Sequence, residues 1–435
     1  MLFRMPITGR RAMPCHFIIH AFCLLTLAFG SALAHAGDKP LTLSEALSRA
    51  MAQNPGLQVF DFRLQGLEGR RVTAGQNPAL EADLEVENFL GSDNLRGVDG
   101  AEYTLSLSSV LELGGKRQAR VSVVDSQYGR VEAERRAETL DLLGQATQRF
   151  VATLALQEKL QLAAEAVALA EATHEIVTRR ADRGAAPQAE VLRARAALTQ
   201  SRIEQSHLRA AYESRKMALA SLWGDTSPDF QMLEGDLFQF GSSDNFVALY
   251  QRVSDSPAIQ IYASEQRIRE AEIQLARSQS ESDIRWQVGI RRFEETDDTA
   301  LTAGLSVPLF SGRRNRGEVQ AALAARDEVR FRREDTLLRL HSRLFDAYHL
   351  RQQSIETVEQ IRSQMLPDLT EALTQTREAY ENGRYSYVEW TAAQRELLSA
   401  RQALVDAATT ALLNQALIEQ LTAQPLVAVP GAPTR

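Results

Sequence analysis

The sequence predicts a mainly α-helical protein with two tandem structural repeats, each combining long antiparallel coiled-coil helices with two strands of a membrane β-barrel. Three observations predict this fold. Residues 115–184 are a proline-free stretch of good helix formers, four segments alternate apolar with polar residues, and the same order of elements occurs twice. At 1.5 Å per residue the first long helix would extend about 100 Å, roughly three times the hydrocarbon thickness of a membrane.

The N-terminal segment, residues 1–36, is predicted to be a signal peptide. Three arginines precede an apolar run over 17–29 that is too short to span a bilayer, and an A-x-A cleavage site follows at 34–36. Both cysteines, Cys15 and Cys23, lie in this segment. The mature chain should therefore contain neither a disulfide nor a reactive thiol.

Charge and motif content argue against several function classes. Removal of the signal peptide leaves 46 Lys and Arg against 56 Asp and Glu, and an acidic chain without a basic stripe argues against a nucleic-acid partner. The remaining histidines have no ligand-like spacing, and no nucleophile elbow, phosphate loop or HExxH motif occurs. We therefore expect no enzyme activity, no cofactor and no metal site. The histidines are His174, His207, His341 and His349.

The first repeat, residues 37–223, begins with two short helices separated by Asn54-Pro55. Strands are predicted at about 79–90 and 101–113, where acidic or hydroxyl side chains alternate with apolar ones. Each is about ten residues long, which is the length needed to cross a membrane when tilted. The alternative is a hairpin half-buried on a soluble core. The long helix and a return helix then form a coiled-coil hairpin.

The second repeat follows at an offset of roughly 200 residues. Residues 224–245 are predicted to be a lateral insertion that links the halves, and 246–422 form the second repeat. Its strands are expected at about 284–293 and 300–311, followed by another helical hairpin. The tail, 423–435, contains three prolines and is expected to be disordered.

Four strands cannot close a barrel by themselves, because lipid does not tolerate the unpaired N–H and C=O groups of two open edges. Three copies of the chain would supply twelve strands around a water-filled lumen. The polar face of the strands would line this lumen. Its charged residues are Glu81, Asp83, Glu85, Glu87, Arg285 and Arg291.

The sequence from about Leu41 to Leu421 resembles the TolC family of outer-membrane efflux proteins. The resemblance is carried by Leu-Thr-Leu-Ser-Glu-Ala-Leu from Leu41, by Pro-Leu-Phe-Ser-Gly from Pro308, and by two glycine turns between long helices. The segment Leu-Glu-Leu-Gly-Gly-Lys-Arg from Leu111 is most similar to the heavy-metal, CzcC-like branch.

This resemblance implies a homotrimer, with a β-barrel in outer-membrane lipid and an α-helical barrel that reaches into the periplasm. The protein would be the passive exit duct of a tripartite pump for heavy-metal cations or drugs. Its partners would be a periplasmic adaptor and an inner-membrane pump of the RND type. Two other functions remain open at this stage: a duct for type I protein secretion, and a periplasmic coiled-coil scaffold or adaptor without a barrel.

The resemblance also implies two groups of functional residues at the ends of the helical hairpins. A periplasmic gate would contain Tyr380, Glu389 and Glu190, and the adaptor would dock on tips that contain Arg180, Gly184, Pro187, Gly383 and Arg384. Three copies of Glu389 would form a ring that attracts cations. The alternative is a solvated glutamate that the dipole favours in the first turn of a helix.

Overall fold

The computed structural model describes residues 40–93, 96–242 and 244–424. The predicted signal peptide lies outside the described residues, as do residues 425–435 of the predicted tail. Within the described ranges, no helix combines the length and apolar character needed to cross a membrane.

Most of the described chain is helical. The helices are α1 (Leu43–Gln53), α2 (Pro55–Ala74), α3 (Lys116–Asp182), α4 (Gln188–Ala220), α5 (Phe246–Ser254), α6 (Pro257–Ser278), α7 (Ser311–Arg314), α8 (Arg316–Gln360), α9 (Leu366–Glu381) and α10 (Tyr387–Thr422). The strands are β1 (Leu41–Thr42), β2 (Glu81–Glu87), β3 (Glu102–Leu111), β4 (Leu233–Glu234), β5 (Ile284–Phe293) and β6 (Thr299–Ser306).

Two strands are shorter than the alternation predicts, because the backbone ends them early. Asn88 and Leu90 after β2 have positive φ angles of 57° and 58°, which an extended strand does not allow. Strand β6 ends at Ser306 rather than near residue 311, because Pro308 has no N–H for the ladder. Phe310 then takes a left-handed conformation and begins α7.

Strands β2, β3, β5 and β6 form one antiparallel sheet in that order. The register aligns Leu84, Leu105, Ile290 and Leu301 in a row across all four strands. This apolar face packs on no protein core, since Leu84 is 70% and Leu301 86% exposed. The alternative of a hairpin half-buried on a soluble core is therefore wrong.

The long helix α3 is the common support of the helical part. It packs against α4 and α10, and also against α2 and α6. Gly144 leaves room for the Gln420 side chain of α10, because a Cβ there would lie 2.5 Å from Cδ of Gln420. Gln420 also donates to Asp141 at 2.6 Å, so this crossing is held by a polar contact as well as by packing.

Helix α10 packs through a seam of mainly apolar side chains. Trp390, Ala393, Leu397 and Ala400 are buried at spacings of three and four, and Val405, Ala408 and Ala411 are buried further along the helix. A straight helix with 3.6 residues per turn drifts against a seven-residue repeat. The spacing of five residues between Ala400 and Val405 interrupts that repeat.

The second long helix is interrupted between α8 and α9, as its proline predicts. Residues Ile361–Met365 form a π-helical turn, and Pro367 follows in the first turn of α9. Proline cannot donate to the carbonyl four residues earlier, and that carbonyl belongs to Ser363 inside the π turn. Widening of the turn accommodates the lost bond.

Residues 224–245, predicted to be a lateral insertion that links the halves, contribute to the apolar core. Phe230, Leu233 and Leu237 are 2–3% exposed and belong to the largest apolar cluster of the described residues, with residues of α1, α3 and α4. Strand β4 also pairs in parallel with β1. The segment therefore joins the strand that precedes α1 to the core of the helical part.

Candidate functional site

The two hairpin tips, α3–α4 and α9–α10, end in turns of the same backbone form. Gly184 and Gly383 have φ angles of 72° and 73°, a region that glycine enters without the steric cost of a Cβ. The next residue in each turn bonds back to the helix end. Ala185 N donates to the Arg180 carbonyl at 2.9 Å, and Arg384 N to the Ala379 carbonyl at 2.8 Å.

Arg180 joins the first tip to the second. Its Nη1 donates to the Tyr380 carbonyl at 2.7 Å and also to the carbonyl of Glu381. Its guanidinium carbon lies 4.7 Å from the centre of the Tyr380 ring. An arginine that donates to the last carbonyls of a helix also interacts favourably with the negative end of the helix dipole. Arg180 thus caps α9 and fixes one hairpin on the other.

Tyr380 is the centre of a buried cluster between the tips. It is 2% exposed, its ring stacks on Trp390 with centroids 4.9 Å apart, and its hydroxyl donates to Glu190 Oε2 at 2.9 Å. Burial, and then the hydrogen bond to Glu190, raise the pKa of the Tyr380 hydroxyl. The phenol is therefore a permanent donor to Glu190 throughout the physiological pH range.

Glu389 belongs to a different arrangement. Its Oε2 accepts from the backbone N of Ser386 at 2.7 Å, and Glu389 N donates to Ser386 Oγ at 3.4 Å. This is a capping box for α10. The hydrogen bond from the Ser386 backbone, and then that from its hydroxyl, lower the pKa of Glu389. The Ser-x-x-Glu spacing is the sequence signal for this role.

The structure thus brings together two of the three predicted gate residues. Tyr380 and Glu190 are hydrogen-bonded, whereas Glu389 bonds to Ser386 in its own helix. Among the predicted docking residues, Arg180 is occupied by bonds within the chain. The others are exposed at the tips, namely Gly184, Pro187, Gly383 and Arg384.

The polar face of the sheet carries paired and unpaired charges. Arg291 contacts Glu87 at 3.0 Å and Glu102 at 2.9 Å, and Arg285 lies 3.4 Å from Glu81. Asp83 accepts from Ser108 Oγ at 3.2 Å. Five of the six predicted lumen residues therefore make contacts on one face of the sheet. The sixth, Glu85, lies opposite Thr104 in the strand register and is on the same face.

Hydroxyl groups lie beneath these long side chains. Thr104, Ser106 and Ser108 are each 4% exposed, because the side chains of β5 cover them. Gln287 Nε2 donates to Ser106 at 2.8 Å and Arg291 Nε to Thr104 at 2.9 Å. The hydroxyls of β3 are therefore covered by longer polar side chains, whereas the apolar face of the sheet is exposed, which is the reverse of a sheet on a soluble core.

Within the described ranges, no group of three or more His, Cys, Asp or Glu side chains could hold a metal ion. His341 instead packs edge-on against Phe246 and Tyr250, with ring centroids 5.3 and 4.8 Å apart.

A sheet with an exposed apolar face, joined to helical hairpins whose first helix, α3, is about 100 Å long, defines a class of outer-membrane channel-forming proteins. The family model "Outer membrane efflux protein" matches residues 46–225 and 248–424. The chain belongs to this family, which indicates an outer-membrane location with an extension into the periplasm. The alternative of a periplasmic scaffold without a barrel is set aside by this membership.

Two relatives and one solved structure are similar to this chain over most of its length. The cobalt-zinc-cadmium resistance protein CzcC of Cupriavidus metallidurans is 26% identical over 362 residues, covering 83% of this chain and 85% of that protein. The nickel and cobalt resistance protein CnrC of the same organism is 27% identical over 72% of this chain and 75% of its own. The crystal structure of CusC superposes with a TM-score of 0.72 at 18% identity, covering 87% of this chain and 91% of that one.

Proposed function

We propose that three copies of this chain form a passive channel that carries divalent transition-metal cations across the outer membrane. The observation that carries the proposal is the four-stranded sheet. Within the described residues, β2 and β6 each pair on one side only, and their apolar face is open. Such a sheet is tolerated in lipid only if the edges of neighbouring copies complete the hydrogen-bond ladder.

The helices support closure through the same two edges. Helix α2 leads into edge strand β2, and α7 and α8 follow edge strand β6. Phe62 of α2 is 72% exposed and Phe331 of α8 is 58% exposed. Exposed apolar side chains of this size, on the helices that adjoin the two edge strands along the chain, favour contact with neighbouring copies. Twelve strands would then surround a lumen wide enough for water.

The proposed cargo rests on the named relatives and on charge. CzcC is a cobalt-zinc-cadmium resistance protein and CnrC a nickel and cobalt resistance protein. On the polar sheet face of this chain, five carboxylates face only two guanidinium groups, an excess that attracts cations. The carboxylates are Glu81, Asp83, Glu85, Glu87 and Glu102, and the cations are Arg285 and Arg291.

We further propose that the hairpin tips are the periplasmic gate and the adaptor-docking surface. The bonds of Arg180 and the Tyr380–Glu190 pair hold the two hairpins of one copy together. Opening would then proceed between copies or through loss of these bonds. The exposed turns at Gly184 and Gly383 would meet a periplasmic adaptor, and an RND-type inner-membrane pump would supply the energy. The chain itself needs no catalytic group.

The proposal is tested by fractionation and conductance together. Unheated protein from outer-membrane fractions should migrate as an oligomer that heating converts to single chains, and it should form cation-preferring channels in planar bilayers. Deletion of the protein should sensitise cells to zinc, cobalt or cadmium. Protein found in the periplasmic fraction, or channels with anion preference, would refute the proposal. If the deletion made cells more sensitive to drugs but not to metals, the proposed metal cargo would be refuted while the proposed channel would stand.

A further inference from the structure

A groove along α3, with α2 and α6 as its walls, contains a cluster of arginine side chains. Both wall helices pack on α3. A cavity of about 300 Å³ in this groove is lined by guanidinium-bearing side chains from all three helices, and Glu272 is the single acidic residue among its lining residues. The arginines are Arg63 and Arg70 of α2, Arg130 of α3 and Arg269 of α6.

The acidic groups nearby leave this arginine cluster with a positive surplus. Arg63 and Arg130 share one carboxylate, that of Glu134, and Arg269 contacts Glu272 at 2.9 Å. Glu265 also contacts Arg269, at 3.3 Å, but it is closer to Arg332, at 2.8 Å. Only two carboxylates, those of Glu134 and Glu272, therefore pair exclusively with the four guanidinium groups of the cluster among the described residues.

Two arginines of the cluster have N–H groups without an acceptor among the described residues. Arg70 forms no ion pair or hydrogen bond with any residue that the structure describes, and Nε of Arg269 is buried without a partner. Leaving a buried N–H unsatisfied is costly. A Cβ added at Gly66, which lines the cavity, would meet no atom within 4 Å. The cavity thus has both unsatisfied donors and room for an acceptor.

We infer that the arginine cluster binds a small oxyanion with two or more negative charges, of the phosphate or pyrophosphate class. Guanidinium groups match the oxygen spacing of such anions and bind them in a bidentate manner, and two negative charges balance the surplus. The site lies roughly 20 Å along α3 from its start at Lys116, beyond the sheet. A soluble oxyanion therefore fits this position better than a lipid phosphate, which has the same chemistry.

Titration calorimetry with inorganic pyrophosphate tests the inference on the full-length protein in non-ionic detergent at constant ionic strength. We expect saturable binding that Arg70→Gln weakens about tenfold or more, because a charged hydrogen-bond partner is lost. Arg70 is exposed and has no ion pair or hydrogen bond within the described ranges, so the variant should fold. Arg209→Gln is the matched control, since Arg209 is an exposed arginine of α4 outside the groove, and it should bind as the unaltered protein does.

A second pair of variants tests the position of the site. Gly66→Glu puts a carboxylate into the cavity one turn before Arg70 and should abolish binding, while Gly69→Glu, on the same helix but not lining the cavity, should preserve most of it. Absence of saturable binding, or equal dissociation constants for the Arg70→Gln and Arg209→Gln proteins, would overturn the inference. Binding of dihexanoyl phosphatidic acid without binding of pyrophosphate would overturn the assignment to a soluble oxyanion.

Discussion

Removing one hydroxyl group, in Tyr380→Phe, should loosen both hairpin tips. The phenol is buried and donates to Glu190 Oε2 at 2.9 Å. Hydrogen bonds to charged groups contribute about 1.5–3 kcal/mol. Glu190 is partly exposed, so water compensates some of the loss, and we expect a value near the lower limit, about 1.5 kcal/mol. The stacking on Trp390 is retained by the phenylalanine ring.

Native-state hydrogen exchange measures this change directly at the tips. A loss of about 1.4 kcal/mol corresponds to a tenfold faster exchange, so the amides of Gly184 and Gly383 should exchange about tenfold faster in Tyr380→Phe. Tyr385→Phe is the matched control, because Tyr385 is 48% exposed and its hydroxyl has no hydrogen-bond partner among the described residues. In a double-mutant cycle, Glu190→Ala, which removes the acceptor, should remove most of the effect of Tyr380→Phe. Equal exchange at both tips in the two phenylalanine variants would refute the reasoning.

Four further predictions concern the sheet, the cap, the proposed glutamate ring and the core. A cysteine at position Asp83 should react with membrane-impermeant, water-soluble thiol reagents, whereas one at Leu84 on the opposite face should not; equal reactivity would contradict the assigned faces. The pKa of Glu389 is lowered in the folded chain. The capping box therefore stabilises α10 fully at pH values above the unfolded-state pKa of about 4.3. This stabilisation is lost as the pH falls through the folded-state pKa. The stability advantage over Glu389→Gln should therefore shrink in acid, and an advantage that grows there would contradict the cap. In planar bilayers, unchanged block by divalent cations in Glu389→Ala would rule out a glutamate ring. In thermal or chemical unfolding, Leu237→Ala should cost about 2–5 kcal/mol, while Met232→Ala, at a site 58% exposed, should cost little; similar costs would contradict the central position of this segment.

The elements that local pattern determines could be predicted from the sequence. The long helix α3 follows from the helix propensity of its residues, and the strands follow from the alternation of apolar and polar side chains. Asn54 caps the N-terminus of α2, as expected of a short polar residue directly before a proline. The family membership and the outer-membrane function that the resemblance to the TolC family implied are confirmed by the family match. Contacts between distant segments were not predictable in the same way.

The contacts between the two hairpin tips could not be predicted from the sequence. Nothing in the local sequence indicates that Arg180 bonds the carbonyl of Tyr380, since that contact depends on how the two hairpins pack. The same holds for Phe230 and Leu237, whose segment has no helical or strand period and yet enters the core. The role of Glu389 was different, because its Ser-x-x-Glu spacing was present in the sequence and indicated a cap. Its place in an oligomeric ring stays a prediction.

The most direct test of the central claim is the mass of the native particle. Light scattering with correction for bound detergent, on protein extracted from the outer membrane without heating, should give three times the mass of one mature chain. The open edges of β2 and β6 would then each be paired with a neighbouring copy. A stable particle with the mass of a single chain would leave both edges unpaired and would contradict the account.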